Sequence, residues 1–387
     1  MKLDLHLLNP IFQPNIASGK RYFPFIQGMR GFAMLIIFIG HNYTQFLTTH
    51  VPPSGITHEW VDFYYTTAPA AVDLFFFISG YLSYASLIKR PIPFFSYLGR
   101  RVQRLYPPYF AIFALYVALS FLFPTFSKIP DGASQATIYL LQNMLLLPGV
   151  FNIPPLISVA WIMSYELFWI LALPLILSGL RLRAWQPRQR LLLWIGLALT
   201  ALLLYSQLGG PIRLIMFIAG FITYDLLTMG YHKPLPQGSG LAIIPIMCTL
   251  IVLTPINLVG MTWRMLIIFL SLIPLFLDCF ISPEGPTARL FSWKPFVWWG
   301  NISYSYFLTH GLVTKVAGVL VIAFLPPTHG WRDVLIIWGL PLVTFIPTIL
   351  FALLLYFGVE HRFSFASKPQ RSTQPEQPTV SATDGPL

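Results

Sequence analysis

Apolar residues along the chain gather in long blocks separated by short polar or basic stretches. Ten blocks stand out, at 29–48, 66–88, 109–123, 159–180, 191–207, 212–229, 241–256, 262–281, 300–325 and 334–358. A helix needs about 20 mostly apolar residues to cross the hydrocarbon core of a bilayer. Most of the blocks meet that length; the third, fifth and seventh are short and must borrow flanking residues. An eleventh stretch, 136–150, is shorter still and carries Gln142 and Asn143. The pattern predicts an all-α, polytopic integral membrane protein with about ten transmembrane helices.

Charges between the blocks orient this scheme. With ten spans and the N-terminus inside, 18 of the lysines and arginines fall on the cytoplasmic side, against Lys128, Arg213, Arg264 and Arg332 on the other. That asymmetry is the positive-inside bias of membrane proteins. Were 136–150 also to span, the cluster from Arg181 to Arg190 would face outward, so this stretch is expected to be re-entrant or interfacial. Both termini are then cytoplasmic. Residues 1–25 form an N-terminal segment, 26–363 the membrane domain, and 364–387 a polar, Pro-rich tail expected to be disordered. Pro10 and Pro14 interrupt the first stretch, so no cleavable signal peptide is expected. Tyr231 to Gly240 reads as a Pro/Gly loop, and no solenoid repeat or second soluble domain is seen. The sequons at Asn42 and Asn301 fall inside blocks and are not glycosylation sites.

Composition narrows the class further. Of the 387 residues, 10% are charged, 56% hydrophobic and 16% aromatic, and mean hydropathy is +0.68. Too few charges are present to cover a soluble protein of this size. An outer-membrane barrel alternates apolar and polar residues and keeps mean hydropathy low, so it is excluded too. The net charge of +11 resides in short loops rather than on one soluble face, which argues against a nucleic-acid partner and for the lipid bilayer. Cys248 and Cys279 lie in apolar blocks and form no disulfide framework.

A charge inside the bilayer costs roughly 2.5–3.5 kcal/mol, so those that persist usually face a cavity or a partner. Arg30, His41, Asp73, Glu166, Asp225, Asp278, His310 and Lys315 are the candidates. Arg30 and His41 are eleven residues apart, which returns nearly to the same helix face about 16 Å further along the axis. Arg30 then sits at the cytoplasmic rim and His41 near mid-membrane. Helix rise places Asp73, Glu166 and His310, on three further helices, at a depth similar to His41. A structural interhelical hydrogen bond is the alternative for each of these taken singly. Two histidines and two carboxylates could hold a metal, but nothing has ligand-like local spacing, and no metal is expected. Asp225 and Asp278 lie near cytoplasmic ends, solvated or paired.

Two further stretches carry chemistry. Arg100, Arg101 and Arg104 precede Pro107-Pro108 at the start of the third block. They are either positive-inside charge or a cytoplasmic cradle for polyanions, since guanidinium forks suit phosphates. Phe75-Phe76-Phe77-Ile78-Ser79-Gly80-Tyr81 reads alone as packing, with Ser79-Gly80 a small pair that permits close helix approach.

Taken together, five stretches resemble the membrane-bound acyltransferase 3 family. Ile26-Gln27-Gly28-Met29-Arg30-Gly31 through His41 is similar to its basic-x10-His signature. Asp73 to Tyr81 is similar to its FF-x-x-SGF segment. Arg100-Arg101-Val102-Gln103-Arg104-Leu105-Tyr106-Pro107 is similar to its RR-x-x-R-x-x-P stretch. Trp161-Ile162-Met163-Ser164-Tyr165-Glu166 is similar to its W-x-L-S-x-E motif, and Ile302 to His310 to its ISYSLYLxH motif. The match runs from about residue 20 to 363, and the length fits the single-domain form. Gln27 stands where many members have Asp, Tyr81 where Phe is commoner, and Glu360-His361-Arg362-Phe363 lacks the usual Pro.

The resemblance implies an O-acyltransferase, of the class transferring groups other than aminoacyl groups. It would move an acyl group, often acetyl, from cytoplasmic acyl-CoA to a hydroxyl of an extracytoplasmic glycan or lipid-linked carbohydrate, in a bacterial inner membrane. Arg30, Arg100, Arg101 and Arg104 would hold the phosphates of the donor, with acetyl-CoA the expected co-substrate. His41 would act as general base or carry the acyl group, and Asp73 or Glu166 would orient its imidazole. Ser79, Trp161, Tyr304 and His310 would contact the substrate. The competing readings are a secondary transporter, for which no half-to-half correspondence is seen, and a glycan flippase or scaffold without chemistry.

Overall fold

The computed structural model describes residues 23–44, 49–231 and 236–364. The N-terminal segment up to residue 22, the end of the first block at 45–48, Lys233 with its neighbours and the tail from 365 lie outside the described residues.

Among the described residues the chain is helical, apart from one isolated bridge between Pro148 and Phe151. The helices are α1 Pro24–Thr44, α2 Ile56–Thr67, α3 Pro69–Lys89, α4 Phe94–Leu122, α5 Ala133–Met144, α6 Trp161–Gly179 and α7 Pro187–Leu208. There follow α8 Ile215–Thr228, α9 Ser239–Leu253, α10 Leu258–Ile281, α11 Pro286–Phe291, α12 Lys294–Asn301, α13 Ser303–Phe324 and α14 Trp331–Leu355. A π-helical segment, Tyr356–Ser364, continues α14.

Every one of the ten apolar blocks coincides with a helix, but their lengths differ from the hydropathy reading. Eight helical stretches among the described residues are long and apolar enough to cross a membrane. The other two blocks form α8, of 14 residues, and α9, of 15. α2 and α3 make one apolar stretch, Ile56–Lys89, interrupted at Ala68, after which Pro69 begins a new helix. α4 starts at Phe94, well before the block at 109–123, and runs through Pro107 and Pro108. Its first turns carry the arginines, so the hydropathy signal stops where the helix does not. The stretch 136–150 contributes only the 12-residue α5, about 18 Å long. Asn143, buried at its end, accepts from the Leu156 amide at 2.7 Å and donates to Tyr139 O, which turns the chain back.

Packing follows from where small residues sit. α3 and α8 cross at Gly80 and Gly220: a Cβ on Gly80 would stand 2.4 Å from Phe217 O, and one on Gly220 2.4 Å from Phe77 O. Only glycine allows that approach, and the Ser79-Gly80 pair is its sequence signal. α7 packs by a single stripe, Arg190, Trp194, Ala198 and Leu202, spaced every fourth residue. Its other faces, with Leu199, Leu203 and Leu204 exposed, are apolar surface for lipid.

Asp225 and Asp278 are both buried and hydrogen-bonded. Asp225 is buried and accepts from Arg190 Nη2 at 2.7 Å, Arg190 Nε at 3.0 Å and the Tyr84 hydroxyl at 2.8 Å. Asp278 accepts from Thr287 Oγ1 at 2.6 Å and the Gly240 amide at 3.0 Å. Both are therefore paired rather than solvated. Asn42 is also enclosed, donating to Phe38 O and accepting from Thr344 Oγ1 at 2.8 Å, so its sequon is out of reach of glycosylation.

Candidate active site

α1 organises the site. Arg30 and His41 lie on it eleven residues apart, and each meets a different set of partners.

Around Arg30, residues of α1, α3, α4, α6 and α13 line an open cavity with about 830 Å3 of empty space, its mouth included. Arg30, Arg101, Arg104, Ser79, Glu166 and Tyr304 all line it, among apolar residues such as Phe75, Leu105 and Phe307. The Ser79 hydroxyl donates to Glu166 Oε1 at 3.4 Å. The Tyr304 hydroxyl donates to Leu105 O at 2.6 Å and so ties α13 to α4. Arg101 reaches Ser83 Oγ at 2.9 Å and covers the Tyr97 ring.

The charges here form one system. Arg30 is acted on by Arg104, Glu166 and Glu360, and Arg104 by Arg101, Glu166 and Glu360. Glu360, buried in the π-helical segment, accepts from the Ser305 amide at 3.2 Å and from its hydroxyl at 2.5 Å. Three guanidiniums thus stand against two carboxylates. Arg104 is exposed at the mouth and Arg30 and Arg101 are half-buried, so the surplus positive charge is within reach of an anion entering from outside. Gln27 has a place in the same set: it accepts from Arg30 Nη1 at 3.4 Å and donates to Asn301 Oδ1 at 3.2 Å, linking α1 to α12.

Deeper along α1, His41 meets His310 of α13. The rings are 5.1 Å apart at 70°, edge to face. His310 is fully buried, and its ring is parallel to that of Tyr306. Its Nδ1 lies 3.2 Å from Tyr306 O. A carbonyl only accepts, so that contact puts the proton on Nδ1 and leaves Nε2 as a bare acceptor. Nε2 has no hydrogen-bond partner among the described residues.

Several expected site residues lie elsewhere. Asp73, fully buried, is paired with Arg213 at 2.5 Å, and neither Asp73 nor Glu166 hydrogen-bonds to His41 among the described residues. Glu166 joins the arginines because α6 starts only after Leu156, Ile157, Val159 and Ala160, which are already buried, so a depth counted from the outer surface misplaces it. Arg100 is exposed, bonded to Ser96 Oγ, and does not line the cavity. Trp161 packs on Phe76 and Tyr165. Glu360 was not among the expected site residues. Its one sequence signal is an acidic residue closing the last apolar block. Among the described residues no group of three or more His, Cys, Asp or Glu side chains could hold a metal ion.

Fold and site together define an integral membrane protein of α-helices, in which α1 lines a basic cavity with Arg30 and brings His41 against His310 of α13. The family model described as an acyltransferase domain matches residues 23–359, nearly the whole chain, and the protein belongs to the acyltransferase 3 family. Neither a curated protein nor a solved structure matches it. Membrane acyl transfer is the activity that this family supports.

Proposed function

We propose that the protein is an O-acyltransferase that moves an acyl group, acetyl in the first instance, from cytoplasmic acyl-CoA to a hydroxyl of an extracytoplasmic carbohydrate or glycolipid. The observation that carries this reading is the course of α1, which lines a basic cavity with Arg30 and meets His310 with His41. In this reading ten helices cross a bacterial inner membrane with both termini cytoplasmic, α8 and α9 being short spans. Residues 26–363 make the membrane domain, flanked by cytoplasmic segments at 1–25 and 364–387.

The phosphates of the donor lie against Arg30, Arg101 and Arg104, whose surplus charge Glu166 and Glu360 only partly offset. The thioester points along α1 toward the histidines. A neutral His41 takes the proton of the acceptor hydroxyl as its oxygen attacks the thioester carbonyl. The new C–O bond forms, the C–S bond breaks, and the proton passes to the departing thiolate. His310 is the partner of His41 in this scheme, because its ring lies against it and its Nε2 is a free acceptor. Asp73 and Glu166 act at one remove, Asp73 by fixing Arg213 and Glu166 by balancing the donor arginines. Ser79 and Tyr304 shape the cavity wall that the acyl arm passes, and Trp161 supports it through Phe76.

The test is incubation of membranes containing the protein with radiolabelled acetyl-CoA. The account expects label in a carbohydrate or lipid fraction that is absent from membranes lacking the protein. A transporter or scaffold transfers none.

A further inference from the structure

A second cavity lies at the opposite end of the bundle from the donor arginines, where α2 joins α3, α9 joins α10 and Arg213 precedes α8. With its mouth included it has about 680 Å3 of empty space, and it is lined by Tyr65, Arg213, Arg264, Ile251 and Met261 among others. Two guanidiniums in one cavity need an explanation, because a charge is costly to bury unless it is paired.

Only one of them is neutralised. Arg213 Nη1 bonds to Asp73 Oδ2 and to Pro69 O. Arg264 is 7% exposed, and Nη2 donates to Thr254 O at 2.6 Å. A carbonyl satisfies a donor but brings no charge. Arg264 Nε is buried with no hydrogen-bond partner, and Asp73 Oδ1 is orphaned as well. Buried arginines are ordinarily paired, and an uncompensated one with an idle donor fits an anion that arrives from outside. Tyr65, half exposed at the rim, offers an aromatic face of the kind on which sugar rings lie.

We infer that this cavity is an outward-facing subsite for an oxyanion-bearing carbohydrate, with a carboxylate or phosphate of the sugar on Arg264 beside Arg213. The inference rests on the topology proposed above, and it deepens that reading by naming the acceptor as an anionic glycan. Guanidinium forks accept either anion in bidentate fashion.

The experiment uses full-length protein in nanodiscs of phosphatidylcholine, titrated calorimetrically with glucuronate, glucose 1-phosphate and glucose. Glucuronate, glucose 1-phosphate or both should bind saturably, roughly tenfold or more tighter than glucose, as expected of a charge-assisted pair. Whichever binds identifies the anion. Arg264→Lys should weaken binding. Met261→Glu should abolish it by adding a carboxylate to the wall, and it leaves the Arg264–Thr254 bond untouched should Arg264 variants fail to fold. Anion binding is read without any acyl transfer, so a failure of the unaltered protein to transfer acyl groups would count against the activity and not against this site. The inference fails if neither anion binds better than glucose, or if Met261→Glu and Arg264→Lys bind normally. It also fails if added phosphatidylglycerol abolishes the binding, because the cavity is then a lipid headgroup site.

Discussion

Replacing His310 by Phe separates a chemical role for the histidine pair from a packing role. The ring is fully buried, and Phe is larger than His by more than a methylene, which a packed site resists by roughly 1–3 kcal/mol. The side chain keeps its edge-to-face neighbour His41 and its parallel neighbour Tyr306. It loses one hydrogen bond, from Nδ1 to Tyr306 O at 3.2 Å, and one acceptor, Nε2. Tyr306 O also receives from Thr309 Oγ1, so it is not orphaned. The buried Nε2 has no partner, and leaving such an atom unsatisfied costs roughly 1–3 kcal/mol, which Phe recovers. His310→Phe should therefore stay within about 2 kcal/mol of the parent's stability, the overpacking cost being set against the recovered Nε2. Turnover should fall. Loss of a group that receives or relays the proton of His41 typically costs about 10²–10⁴-fold, or roughly 3–5 kcal/mol of barrier. The assay is acyl transfer from radiolabelled acetyl-CoA in membranes, normalised to protein, beside thermal unfolding of the purified protein. A His310→Phe enzyme that keeps its stability and turns over within threefold of the parent would refute the role assigned to this ring.

Arg30→Ala should raise the donor KM, with Arg30→Lys intermediate because a point charge still attracts phosphate without the bidentate fork. Arg101→Ala and Arg104→Ala should raise it too, whereas Arg100→Ala, exposed and outside the cavity, should not; kinetics against acetyl-CoA in membranes test the series. Gly220→Ala would put a Cβ 2.4 Å from Phe77 O, forcing α3 and α8 apart by roughly 1 Å at a cost of about 1–3 kcal/mol in unfolding. Gly196→Ala, with nothing within 4 Å, should be neutral or gain up to about 1 kcal/mol from helix propensity. A topology reporter fused at Arg188 should read cytoplasm, and an extracytoplasmic signal there would overturn the ten-span scheme.

Helices were legible in the sequence because lipid-facing and buried faces are both apolar here, which makes each span a continuous block. Their true starts were not. α4 begins fifteen residues before its apolar block because its first three turns, with Arg100, Arg101 and Arg104, carry charge that hydropathy counts against a span. The Arg30–His41 register could be read from spacing along one helix. Partners on other helices could not: Arg190 with Asp225, Asp73 with Arg213 and Glu360 with Ser305 depend on how helices cross, and no local spacing encodes that. His310 came into view as one of several intramembrane histidines and carboxylates, and only packing showed that it, and not a carboxylate, faces His41.

The most direct measurement is acyl transfer by His41→Ala in membranes supplied with radiolabelled acetyl-CoA and normalised to inserted protein. The account predicts normal insertion, an apparent donor affinity close to the parent's, and transfer reduced by at least about 10²-fold, the loss expected on removing a general base. Near-normal labelling of the acceptor by His41→Ala would contradict it.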